Sequence, residues 1–200
     1  MGCDIHCYIE YDLFKQENGE PYMTQWAHPH VSRDYVLFAT LAGPRWEPWM
    51  GMAGEAKGLE GLALSIETFN EYHLRIDDEH PDKRQRTSSE HAAQYVKNGA
   101  SYVERFDRKY VTHPDWHSAS WLTAPELEAA MGRYHAVLVS DFSGPGLYRR
   151  AIDAMLDGGH QRVIPKVPAS CPEIEAILAA MKVLDGEQAG RSRLVFWFDN

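Results

Sequence analysis

The chain has 200 residues, 44% of them hydrophobic and 12% aromatic. That size and composition exclude a disordered polymer and fit one domain able to bury its own core. A formal charge of −9 excludes generic duplex binding, which needs a basic field to displace counterions, and admits a small anionic ligand only where local cations, a metal or backbone N–H groups offset the field.

Residues 1–13, MGCDIHCYIEYDL, alternate from Asp4 onward. In a strand, Asp4, His6, Tyr8, Glu10 and Asp12 share one face, and Ile5, Cys7, Ile9, Tyr11 and Leu13 the other. The second face suits a core. The first opens with a carboxylate and an imidazole side by side. Lys15 to Pro21 contains the turn signal Asn18-Gly19, so Tyr22 to Ala27 is expected to return as the second strand of a hairpin. His28-Pro29-His30 follows in a loop, where two histidines flanking a proline can meet a metal or simply face solvent.

Ser32 is an expected N-cap and Gly43 an expected C′ residue, with Tyr35, Phe38, Leu41 and Ala42 at helical spacing between them. The next segment, GPRWEPWMGM, holds Arg45, Trp46, Trp49, Met50 and Met52. It is too apolar for an idle loop and too rich in proline and glycine for a long helix, so it lines a pocket or folds over the core edge. Ser65 to Tyr72 is too short to assign. Asp77 to Ser89 is expected to be an exposed, mobile charged loop, since it has almost no apolar residue to offset ordering entropy. Thr87-x-x-Glu90 fits a capping box opening a helix to about Lys97. Tyr102 to Val111 fits either a strand or an extension of that helical insertion.

His113-Pro-Asp-Trp-His117-Ser118 leads into Ser120-Trp121-Leu122-Thr123, and Thr123-x-x-Glu126 is a second capping box, with Pro125 in the first turn. Pro114 opposes a continuous helix across the two histidines. The expected helix runs from Ala124 to about Arg133, and Tyr134 to Val139 is either a strand or the end of that helix. Asp141 to Gly146 is a break, Leu147 to Leu156 an expected helix, and Val163 to Val167 a short extended piece. Ser170-x-x-Glu173 opens an expected helix from Pro172 to Leu184. The last eight residues, RLVFWFDN, read as a buried strand.

Three cysteines, Cys3, Cys7 and Cys171, are too few for a disulfide framework or a four-thiolate zinc site and fit a reducing compartment. No apolar run reaches the roughly 18 residues of a membrane span. Asp4 and His6 stand where a signal peptide would carry its charged and apolar regions, and His6 breaks the myristoylation pattern behind Gly2. A cytoplasmic protein without a membrane partner is expected.

If the first and last strands pair antiparallel, Asp199 falls beside Asp4 and His6, and His117 from the pinned loop can complete a set of four metal ligands. Aspartate with histidine suits Zn²⁺, Mn²⁺ or Fe²⁺ better than Mg²⁺ or Ca²⁺, because imidazole is the softer donor. Such an ion lowers the pKa of a bound water and polarises a phosphoryl oxygen. Glu10 is the candidate base and Arg45 the candidate anion-binding cation. Cys3 with His6 or His117 is a weaker nucleophile–base alternative. No G-x-S-x-G elbow, P-loop or G-x-G-x-x-G is present.

The opening MGCDIH, the segment Arg33-Asp34-Tyr35 with Phe38, the DWHS-x-SWLT stretch and the closing VFWFDN resemble a set of proteins found mostly in bacteriophages and prophages. The resemblance implies a phage-type accessory protein acting in bacterial cytoplasm. It transfers no catalytic residues, and it does not extend over residues 50–107.

The expectation is therefore a single α+β domain over residues 1–200, with a mainly antiparallel sheet whose N- and C-terminal strands are neighbours, three or more helices, and a polar insertion at about 77–107. The expected function is metal-dependent hydrolysis of a phosphorylated or nucleotide-type small molecule, in an anti-defence role. The rival is a non-catalytic phage protein that sequesters a host nucleotide signal, or blocks a host protein, with Trp46, Trp49, Trp116 and Trp121 stacking on the ligand.

Overall fold

The computed structural model describes residues 4–17, 19–43, 54–143 and 171–199. The expected tryptophan loop with Arg45, Trp46 and Trp49, residue Cys3, and the elements expected between Gly144 and Ser170 lie outside them.

The alternating N-terminal segment forms β1 (Ile5–Lys15), which turns through Gly19 at φ 82° and returns as β2 (Pro21–Ala27). Helix α1 (Tyr35–Ala42) follows. Its cap is Asp34 rather than the expected Ser32: the Asp34 carboxylate accepts from the Leu37 N–H, while Ser32 donates to Glu173. Gly43 closes it at φ 79°, as expected, a left-handed value that glycine adopts without a Cβ clash. Ser65 caps a short helix α2 (Ile66–Tyr72), which runs straight into β3 (His73–Ile76).

The charged stretch after β3 is a largely exposed loop over residues 77–85, as its composition suggests, and it is laced by side-chain hydrogen bonds. Asp77 accepts from Arg86 at 2.7 Å and from the His80 and Glu79 amides, and Asp78 accepts from Ser89. These contacts let β4 (Arg86–Thr87) pair parallel with β3. Ser88, not Thr87, then caps α3 (Ser89–Lys97). Tyr102 to Val111 resolves into strands: β5 (Tyr102–Arg105) and β6 (Arg108–Thr112) form a hairpin through Phe106 and Asp107, both at positive φ.

Sequence patterning did not reveal β7 (His117–Thr123), which precedes α4 (Ala124–Ser143). The capping box at the start of α4 forms through Glu126, which accepts from the Thr123 amide and hydroxyl. Residues 134–139 belong to this helix and not to a strand. Helix α5 (Pro172–Asp185) and strand β8 (Ser192–Phe198) complete the described chain.

The result is α+β. The main sheet has the order β2-β1-β8-β7 and is antiparallel throughout, so the N- and C-terminal strands are neighbours. A second sheet, β4-β3-β6-β5, is built from the stretch expected to be a polar insertion together with the strands bracketing it. On one face of the main sheet, Cys7, Ile9, Leu194, Phe196 and Phe198 pack against α1, α4 and α5. On the other, Tyr8, Val195 and Trp197 pack against Leu59, Leu64, Phe69 and Tyr110. Strand β8 is buried along its whole length, and each large side chain so buried contributes about 1.5–3 kcal/mol.

Two buried polar groups join the layers. The Glu10 carboxylate, fully buried, accepts from Arg193 at 2.6 and 2.9 Å and from the Ser65 amide at 2.9 Å. Arg193 also donates to the Ala63 carbonyl at 2.5 Å. Breaking such a pair from one side costs about 3–5 kcal/mol, because the partner charge stays buried. His73, at the junction of α2 and β3, is 6% exposed and donates from Nδ1 to the Phe69 carbonyl at 3.0 Å.

Burial pushes the His73 imidazole down to about 4. In the unfolded chain it takes a proton near 6.5. Between those values the unfolded state binds more protons, so the stabilisation is present above about pH 6.5 and falls as the pH drops toward 4. Urea unfolding at pH 7 and pH 5 is expected to show the wild type losing about 2 kcal/mol more than His73→Gln over that interval. Equal losses would contradict a neutral, buried His73.

Candidate functional site

The antiparallel pairing of β1 with β8 sets Ile5 opposite Phe198 and His6 opposite Trp197. It therefore carries Asp199, just past β8, to the start of β1. The Asp199 N–H donates to the Asp4 carbonyl at 3.1 Å, and the Asp4 N–H donates to Asp199 Oδ1 at 2.9 Å. The other carboxylate oxygen lies 3.1 Å from His6 Nε2. A carboxylate accepts, so Nε2 carries the proton and Nδ1 is the second, chemically distinct nitrogen. Both side chains are about 30% exposed. Three of the expected site residues, Asp4, His6 and Asp199, are thus brought together.

Arg33, immediately ahead of the α1 cap, forks onto Asp4, with Nη2 2.5 Å from Oδ2 and Nε on Oδ1. This guanidinium holds the Asp4 carboxyl below the usual carboxylate range.

The floor is aromatic. His6 lies nearly parallel to Trp197, with centroids 5.8 Å apart, and tilts against Trp116 at 5.7 Å. Trp116 in turn stacks on His113 at 4.6 Å. Tyr8 stacks on Trp197 at 4.9 Å and on His28 at 4.3 Å. Tyr72 contacts both tryptophans, at 5.7 and 4.9 Å. Burial lowers the pKa of His113 and of His28, which favours their neutral forms. The loop expected to be pinned is pinned: the Trp116 amide donates to the His113 carbonyl, and the Asp115 amide to His113 Nδ1. The Trp197 indole N–H is buried and has no hydrogen-bond partner among the described residues.

The sheet does not bring His117 to this cluster. His117 lies opposite Phe198, with ring centroids 6.1 Å apart, whereas His6 lies opposite Trp197. Adjacent residues of a strand point to opposite faces, so the two imidazoles project on opposite sides of the sheet. The register slips between His117 and Ser120, and Ser118 adopts φ 49°, a left-handed value that is costly for a residue with a Cβ. His117 Nδ1 lies 3.1 Å from the Ser118 hydroxyl. Glu10 is likewise apart from the cluster, held by Arg193 and Ser65 inside the protein. Arg45 lies outside the described residues.

The fit to a divalent metal rests on these same groups. Asp4 faces Arg33, Asp199 faces His6 and the Asp4 amide, and His117 is on the other face. Among the described residues no group of three His, Cys, Asp or Glu side chains is placed to hold one ion. What the arrangement offers is an oriented imidazole, a guanidinium beside it, and stacked rings beneath. Sequence reasoning missed Trp197, Tyr72 and Arg33 as participants. Trp197 was readable as the odd member of Phe196-Trp197-Phe198, since alternation alone turns it to the His6 face.

Comparison with known protein families, curated proteins and solved structures gives no match. Among the described residues no helix is long and apolar enough to cross a membrane.

Asp199→Ala removes the acceptor for both His6 and the Asp4 amide. Amide exchange at Asp4 is expected to accelerate at least about tenfold, while exchange at Tyr8, opposite Val195 inside the β1–β8 ladder, stays unchanged. An unaltered Asp4 rate would show that the carboxylate does not hold this end of the sheet.

Proposed function

We propose that the chain binds a small anionic ligand of the nucleotide type where β1 begins and β8 ends, as a phage accessory protein that captures a host nucleotide signal in an anti-defence role. The observation that carries this reading is the His6 imidazole, partly exposed, tilted against Trp116 and stacked over Trp197. Trp197 is fully buried, so the faces left to a base are those of His6 and the half-buried Trp116; aromatic faces take bases of any sequence and contribute about 1–3 kcal/mol per stacked base. Arg33 provides a planar fork that matches phosphate. A local cation of this kind is what an anion requires on a chain of charge −9. The half-exposed Asp4 is the group that an incoming phosphate competes with on Arg33.

A second reading is supported by the 3.1 Å His6–Asp199 contact. An imidazole oriented by a carboxylate is a proton carrier for general acid–base catalysis, which suits hydrolysis of a phosphoric ester. The metal-dependent form of that reaction, with Zn²⁺, Mn²⁺ or Fe²⁺, draws on Asp4, His6 and Asp199 and requires Arg33 to leave Asp4.

Calorimetric titration with a panel of mono-, di- and cyclic nucleotides, followed by chromatography of the recovered ligand and metal analysis of the protein, separates these readings. Capture predicts saturable binding, intact ligand, and affinity reduced at least about tenfold by Trp116→Ala. Hydrolysis predicts breakdown that His6→Ala abolishes. No binding to any member of the panel would overturn both.

A further inference from the structure

We infer that the cavity between the 58–64 loop, α2 and the β5–β6 hairpin is a binding site for a neutral planar heteroaromatic bearing an N–H donor, a nucleobase being one such group. The cavity measures about 230 Å³. That is below the roughly 300–1,000 Å³ of pockets for drug-sized molecules, so its occupant is small. Leu59, Leu64, Phe69, Tyr72 and Val103 form apolar and aromatic walls.

Ser101, Thr112 and His73 are polar groups of the same lining, and His73 is 6% exposed. Its Nδ1 contacts the Phe69 carbonyl at 3.0 Å. A carbonyl only accepts, so Nδ1 carries the hydrogen, and in the neutral ring Nε2 presents a lone pair. No described residue donates to that nitrogen. An acceptor with no protein donor, set among apolar walls, selects a ligand that brings a donor.

Two charges set the ligand's own charge. The Arg105 guanidinium lies 4.4 Å over the Phe69 ring, and it acts on His73 as a nearby positive charge. It disfavours a cation there. Glu60 lines the mouth and accepts from Ser101 at 3.4 Å, which disfavours an anion. A neutral molecule meets neither penalty. Tyr72 stands between this cavity and the tryptophans beneath His6, so the site is separate from the one described above and does not rest on its reading.

The test uses indole and 1-methylindole, a pair that differs in the N–H donor, titrated into the full chain with the histidine ring nitrogens observed by ¹⁵N NMR. Indole is expected to bind saturably and to shift His73 Nε2. 1-Methylindole is expected to bind at least about tenfold more weakly, and His73→Phe to erase the difference. If that variant does not fold, the pair of probes on the unaltered chain decides alone. Equal affinities, no saturable binding of either probe, or a shift confined to another histidine would overturn the proposal.

Discussion

The structure depends on one constraint, the antiparallel pairing of β1 with β8 in the register that sets Ile5 opposite Phe198. Once that register is fixed, alternation decides the rest. Cys7 and Phe196 go to the helical face, Tyr8 and Val195 to the other, and Glu10 meets Arg193 where both are buried. A slip of one residue would carry Phe196 and Phe198 to the Tyr8 face, turn Val195 and Trp197 toward the helices, and part His6 from Asp199. The register is therefore held by the core, and the site at its end is a consequence of that register.

The two polar pairs on β1 differ in kind because their surroundings differ. Glu10–Arg193 is sealed between the sheet and the 63–65 backbone, with both Glu10 oxygens and the Arg193 Nε and Nη2 groups given hydrogen bonds. It is a device for joining layers. His6–Asp199 lies where the ladder ends and water begins, so its members exchange partners at much lower cost. The aromatic stack beneath it supplies shape and apolar contact without competing for the imidazole nitrogens. That combination, a rigid floor with exchangeable polar groups above it, is what a ligand site requires.

Much of this was legible in the sequence. The first and last strands, their adjacency, the hairpin at Gly19, the Thr123–Glu126 box and the approach of Asp199 to Asp4 and His6 all follow from alternation and capping. What was not legible has physical reasons. His117 to Thr123 pairs with β8 through a bulge at Ser118, and a bulge destroys the two-residue period by which a strand is recognised. That same bulge sends His117 to the Phe198 side. Glu10 reads as a surface carboxylate because its partner lies 183 residues away. Within Asp77 to Ser89, aspartate side chains satisfy local N–H and guanidinium groups, a pattern that composition alone does not reveal.

His6 and His117 lie on opposite faces of one sheet, which leaves His6 with Asp199 on an aromatic floor. Side-chain NOE measurements on the full chain test it directly. Contacts are expected from the His6 ring to Trp116 and Trp197, and from the His117 ring to Phe198. A contact between the His6 and His117 rings would contradict it.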